Sequence, residues 1–227
     1  MKKNLISMET FVGAGGSYLG LKKAGFKTIY VNEIDKNFTK TLVHNNKKDL
    51  ENCIVDIRPI ENVDFKEIRK KLILKKKKLD LIFGGPVCKG YSLAGVRDPS
   101  DSRNTLYRHQ IRMISEFLPK ISIIENVPAM RTSLILKSGI EKKKLKEISY
   151  VWKQLDIFKG LKAKLTKEGK KLSKKELKNY NLIKSKKKKF EKFVKNNSIS
   201  VIDDIRVLLK ELGYKVYVEN LNAAWFG

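Results

Sequence analysis

Only two cysteines, Cys53 and Cys88, and two histidines, His44 and His109, occur in 227 residues. So few thiols exclude a disulfide framework, and no Cys or His stands at a zinc-ligand spacing. Long apolar runs are missing as well. No stretch approaches the ~18 residues of a membrane span, and Met1-Lys2-Lys3-Asn4 passes within a few residues into a strand-like segment, without an export signal or anchor. The expectation is a cytoplasmic protein with reduced thiols, no metal and no membrane contact. Acids are scarce, 24 against 50 basic residues, which leaves a formal charge of +26. A polyanion is the natural partner for such a surface. The excess is uneven: from Lys137 to Lys195 there are 22 lysines and six acids. Arginine is scarce too, eight residues against 42 lysines. That ratio also fits the amino-acid bias of an AT-rich genome, so charge alone suggests nucleic acid and leaves a merely solvated lysine surface open.

What is present is the text of an α/β domain. A hydrophobic content of 41% suits one well-packed domain with room for an insertion. Leu5 to Phe11 reads as a buried strand, and Val12-Gly13-Ala14-Gly15-Gly16-Ser17 as a tight turn opening a helix through Ala24. Strands follow at 27–31, 53–55, 79–83 and 121–124, and helices at 35–45, 64–74 and 104–117. Strands alternating with helices at this spacing predict a mostly parallel, doubly wound sheet. From Ser138 to Asn197 the pattern becomes lysine-rich helical text. Ile199 to Leu212 recovers an amphipathic helix that Gly213 caps, and Tyr214 to Leu221 alternates like a strand. The expected organisation is a core over 1–137, a lysine-rich helical insertion over 138–197, and a return to the core over 198–227.

Each chemical-looking cluster follows a strand's carboxyl end, where open α/β sheets place their ligands. The glycine turn after the first strand either lets a ligand approach a helix amino terminus or simply reverses the chain sharply. Glu33 follows the second strand, where a carboxylate can accept two ribose hydroxyls. Asp56 follows the third, where it can receive an adenine amino group. Taken singly, each acid also reads as an ordinary helix amino-terminal charge. Three such features in order point to an adenosine cofactor. Cys88 stands just beyond an apolar strand in Phe83-Gly84-Gly85-Pro86-Val87-Cys88-Lys89-Gly90, a place that suits a nucleophile better than an inert thiol, which would more often sit inside the run, and this segment alone leaves both open.

At these residues the sequence resembles the cytosine-5 DNA methyltransferases. Phe11-Val12-Gly13-Ala14-Gly15-Gly16 is similar to the family's first motif, Asn32-Glu33-Ile34-Asp35 to its second, and Asp56-Ile57 to its third. Gly84 to Ser92 resembles the motif that carries the catalytic thiol. Asp101 to Tyr107 resembles the fifth motif, and Glu125-Asn126-Val127-Pro128 the sixth. Gly213 to Gly227 resembles the stretch that leads into the eighth. The likeness spans about 5–135 and 200–227, in order.

The resemblance implies a Rossmann-like methyltransferase sheet that binds S-adenosylmethionine through Phe11, Gly13, Gly15, Gly16, Glu33, Ile34, Asp56, Ile57, Pro86 and Leu106. It implies that Cys88 adds to carbon 6 of a cytosine flipped out of double-stranded DNA, with Glu125 holding the base and Asn126 bracing the geometry. The segment Lys89 to Arg103, directly after the thiol, reads as a lid in preference to a disordered connector, with Lys89, Ser92, Arg97 and Arg103 contacting nucleic acid. Two residues depart from the family, which usually has Pro and Gln where this chain has Val87 and Lys89. Val87 lifts a φ constraint, and Lys89 sets a cation beside the thiol. The family's later motifs, its final core strand and its target recognition region have no counterpart here. The sheet is therefore expected to be incomplete at its carboxyl end and to need a second polypeptide. A restriction-modification methyltransferase is the leading expectation. A transfer RNA cytosine-5 methyltransferase and an inactive nucleic-acid-binding fragment are the alternatives.

Overall fold

The computed structural model describes residues 5–87 and 98–226, in two compact units. The first holds 5–87 and 106–126. It opens with β1 (Leu5–Thr10), whose last four residues are fully buried, then α1 (Gly16–Lys23), β2 (Phe26–Asn32) and α2 (Lys36–Asn45). β3 (Ile54–Asp56), α3 (Phe65–Lys71), β4 (Leu81–Gly84), α4 (Tyr107–Phe117) and β5 (Ile121–Ile124) complete it. Helix starts are set by local chemistry. The Asp35 carboxylate accepts the Asn37 and Phe38 N–H groups, and Asp64 accepts those of Lys66 and Glu67, so each caps the helix that follows.

The five strands are all parallel, in the order β3-β2-β1-β4-β5. The chain winds outward from β1 to β3, then returns to start again at β4. The switch point therefore lies between β1 and β4, and their carboxyl ends flank the crevice where such sheets bind ligands. Met8, Tyr30, Leu42, Ile82, Tyr107 and Phe117 are among the buried side chains that close the core around the sheet. β5 forms one edge. Ile121 and Ile123 there are 60% and 43% exposed, and among the described residues no strand pairs with its outer side.

The second unit holds 98–105 and 127–226. In it β6 (Leu134–Leu136) pairs antiparallel with β7 (Ser198–Ser200), and between them run α5 (Lys142–Lys167) and α6 (Lys174–Asn196). The lysine-rich stretch is thus a helical hairpin whose two ends meet, with Lys137 N–H donating to the Asn197 carbonyl at 2.8 Å. Ser173 and Glu176 cap α6 reciprocally. α7 (Val201–Glu211) follows, its amino end held by the Ser200 side chain. The expected boundaries after residues 137 and 197 differ from this division, because the β6–β7 ladder joins segments on both sides of the hairpin. That ladder was not foreseen.

Tyr214 to Leu221 forms no strand, contrary to the alternating pattern. Alternation says which residues share a face; a strand also needs a hydrogen-bonding neighbour. Tyr217 and Leu221 remain 81% and 74% exposed.

Candidate active site

Carboxyl-terminal strand ends of the first unit collect most of the residues named from sequence. After β1 the chain turns through Phe11, Gly13 and Gly15, all with positive φ of 56°, 57° and 102°. A bulky residue held in the left-handed region is strained, and such strain concentrates where a ligand needs a particular backbone shape. Gly15 is required sterically, since a Cβ there would stand 2.6 Å from Leu42 Cδ1. Over Gly13 and Gly16 there is open space. A ligand can therefore approach the backbone at the amino end of α1.

Glu33, after β2, reaches across to this turn. Its Oε2 accepts the Gly13 N–H at 2.9 Å and its Oε1 the Asp35 N–H at 2.8 Å. One donor per oxygen leaves acceptor capacity on both. Ile34 and Ile57 are 61% and 48% exposed at the ends of the neighbouring strands, an exposed apolar surface. Asp56 is buried, and Arg58 and the Tyr30 hydroxyl already engage both its oxygens. Burial raises its pKa, but the Arg58 hydrogen bonds and charge outweigh that and hold the carboxyl below its usual range. An adenine amino group would have to share this carboxylate with Arg58, a partner that sequence reasoning missed.

β4 and β5 bring the next two segments together. Glu125 N–H donates to the Gly84 carbonyl at 2.9 Å, and Asn126 Nδ2 to the Pro86 carbonyl at 2.7 Å. A Cβ on Gly85 would lie 3.0 Å from Glu125 Oε2. Asn126 thus braces the chain at Pro86, and the Glu125 side chain lies against the same turn. Leu106 stands at the start of α4, partly buried. Cys88, Lys89, Ser92 and Arg97 lie outside the described residues. Arg103, in the second unit, is exposed and donates to Asp101 through Nε and Nη2. Those bonds hold the Asp101 carboxyl below its usual range.

Glu9, near the end of β1, was also missed. It is fully buried, and Ser17 Oγ, on α1, donates to it at 2.7 Å. An acid inside an otherwise strand-like run was the available signal. Gln110 is the other: its Nε2 donates to the Ile123 carbonyl at 3.0 Å, tying α4 to β5. Cys53 behaves differently from an activated thiol, because burial, with Glu9 nearby, pushes it up to about 12. Among the described residues no group of three His, Cys, Asp or Glu is placed to hold a metal ion, and no helix is long and apolar enough to cross a membrane.

Residues 5–156 match the family described as C-5 cytosine-specific DNA methylase. The chain belongs to that family. Among curated members it is 37% identical over 121 residues to Type II methyltransferase M.AgeI of Thalassovita gelatinovora, covering 53% of this chain and 27% of that protein. It is 36% identical over 162 residues to M.PspPI of Psychrobacter sp., covering 68% and 35%. Against M.AquIA of Picosynechococcus sp. identity is 36% over 136 residues, covering 57% and 50%. The chain therefore spans about a quarter to a half of the length of these methylase relatives. The matched region takes in the whole parallel sheet and runs into α5.

Proposed function

We propose that the chain is the cofactor-binding and catalytic part of a cytoplasmic DNA (cytosine-5-)-methyltransferase that acts on double-stranded DNA within a restriction-modification system. The observation that carries this reading is the junction of Gly85-Pro86 with Glu125-Asn126 beside the glycine turn, in a member of the cytosine-5 methylase family.

S-Adenosylmethionine suits the strand ends. Phe11, Gly13, Gly15 and Gly16 would form its floor, the free acceptor sites of Glu33 would take its ribose hydroxyls, and Ile34 and Ile57 would flank its purine. Asp56, Pro86 and Leu106 would complete the surround. When bound it supplies an electrophilic methyl group on a sulfonium. Carbon 5 of cytosine is too weak a nucleophile to accept that methyl unaided. Cys88 thiolate would add to carbon 6 of the flipped base, pushing an electron pair toward carbon 5. Glu125 would hold N3 and the exocyclic amine and stabilise the charge entering the ring, with Asn126 keeping the segment in place. Once carbon 5 carries the methyl group, loss of its proton expels Cys88 and restores the ring. Lys89, Ser92, Arg97 and Arg103 would contact the flanking phosphates.

The test uses two readouts. Calorimetry should show S-adenosylmethionine binding by the wild-type chain, weakened at least about tenfold by Glu33→Ala. In the native assembly, Cys88→Ala should lower labelled methyl transfer to duplex DNA by roughly a thousandfold or more while donor binding survives. Undiminished transfer would overturn the covalent reading, and methylation of transfer RNA in place of DNA would overturn the DNA substrate. A second polypeptide pairing along β5 belongs to the same proposal, supported by the exposed Ile121 and Ile123 on that strand, whose outer side pairs with no strand among the described residues. Native mass spectrometry of protein isolated from its source should show a heteromeric species; a monomer alone would count against it.

A further inference from the structure

The α5–α6 hairpin is a built element rather than a lysine-rich tail. Ile148, Val151, Trp152, Ile183 and Val194 form a buried seam between the two helices, and Phe190 and Phe193 pack against it. Phe158 and Tyr180 meet edge to face, with ring centroids 5.7 Å apart. The lysines are therefore held on an ordered scaffold.

Near one end the two helices enclose a groove of about 800 Å³, lined by Lys143, Lys146, Lys186 and Lys189 around Tyr150 and Phe193. The lining includes one acid, Glu147, whose carboxylate is paired with Lys144 at 3.5 Å. Lys144 and Lys187 lie over aromatic rings, Lys144 at 4.7 Å from the Phe190 centroid and Lys187 at 5.6 Å from that of Trp152. Among the described residues no ion pair holds Lys143, Lys146, Lys186 or Lys189. The stretch from Lys137 to Lys195 has 22 lysines for six acids, so internal pairing is unable to neutralise it.

We infer that this groove and the helix faces beside it form a sequence-independent docking surface for the phosphate backbone of duplex DNA. The inference rests on the proposed DNA substrate and adds a surface outside the catalytic strand ends. Lysines are point charges without the planar fork that reads base edges, so they fit phosphates rather than sequence. α6, with 23 residues, is about 35 Å long at 1.5 Å per residue. One turn of duplex rises by about the same length, roughly 34–36 Å, so a helix laid along the duplex can meet phosphates at both ends of one turn.

The experiment measures the full chain's affinity for a labelled duplex of about 30 base pairs over a series of salt concentrations. The variant K143Q/K146Q/K186Q/K189Q is compared with K75Q/K76Q/K77Q/K78Q, which removes the same charge from the exposed run before β4. Both keep their helical content checked by circular dichroism, and both have S-adenosylmethionine binding measured separately. The groove variant should lose about 2 to 4 from the slope of log affinity against log salt, at about 0.9 per phosphate contact, while the control keeps the wild-type slope. Equal losses in the two variants, an unchanged groove variant, or preference for RNA or anionic lipid vesicles over duplex DNA would each overturn the inference. Donor binding is read independently, so loss of the methyltransferase reading would show there and leave the groove result standing.

Discussion

Glu9 sits fully buried beneath the glycine turn, with Ser17 Oγ at 2.7 Å and Thr28 Oγ1 at 3.4 Å. Burial penalises its charged form more than these two donors help it, and pushes its pKa up to about 7. Between pH 4.5 and 7 the folded chain then binds more protons at this site than the unfolded chain. Stability from Glu9 is complete below the lower value, falls as pH rises toward 7, and levels off above it. At about 1.36 kcal/mol per unit, the loss amounts to roughly 3 kcal/mol at pH 8. Glu9→Gln keeps the side-chain shape without the charge. It should match wild type near pH 4.5, exceed it by up to about that amount at pH 8, and show a flatter profile in urea unfolding. Parallel profiles for the two proteins would remove the buried carboxyl as the cause.

At the scale of elements, the end of β4 depends on a missing side chain. A Cβ on Gly84 would come 2.3 Å from Thr10 Oγ1 and 2.4 Å from Gln110 Oε1, so β1 and α4 close on this strand together. Gly84→Ala must push one of them aside, at a cost of about 1–3 kcal/mol for overpacking, and it shifts the turn that leads to Pro86. Gly20, inside α1, has ordinary φ and open space around it. Gly20→Ala should stabilise by about 0.5–1 kcal/mol. Thermal unfolding of the two variants should therefore move in opposite directions, and a shared direction would refute the packing argument. The same contrast explains what was legible in advance. β4 is a short apolar run because a central parallel strand is covered on both faces, and Asp35 and Asp64 announce their helices by capping chemistry. The positions of Phe11, Glu33 and Glu125 were legible because each directly follows a strand, and that of Asp56 because it closes one. Gln110 was not, since its partner, the Ile123 carbonyl, lies on another element, and Arg58 was not, because nothing in a two-residue spacing says that its side chain turns back onto Asp56. β6 and β7 have three residues each, too few for a period to show, and Tyr214 to Leu221 shows the period but forms no strand.

At the scale of the whole molecule, a formal charge of +26 works against the folded state as well as attracting polyanions. The described ion pairs involve mostly exposed side chains, such as Lys22 with Asp49 and Lys71 with Glu67, and pairs of this kind are worth little each. Repulsion among lysines should therefore outweigh them. Raising sodium chloride from about 0.05 to 0.5 M shortens the screening length from above 10 Å toward a few Å, which relieves repulsion between neighbours on one helix face. The melting temperature should rise over that range by a few degrees, about what 1 kcal/mol produces in a chain of this size. Hydrogen exchange should slow more with salt in α6, where Lys186 to Lys189 are consecutive, than in β4, where the strand is buried among apolar neighbours. DNA affinity, if phosphates are the partner, falls over the same range, so the two curves have opposite signs. A melting temperature that fell with salt would mean that attractive pairs dominate the surface. In that case the lysine excess would be balanced within the fold, and less of it would be available to an external polyanion.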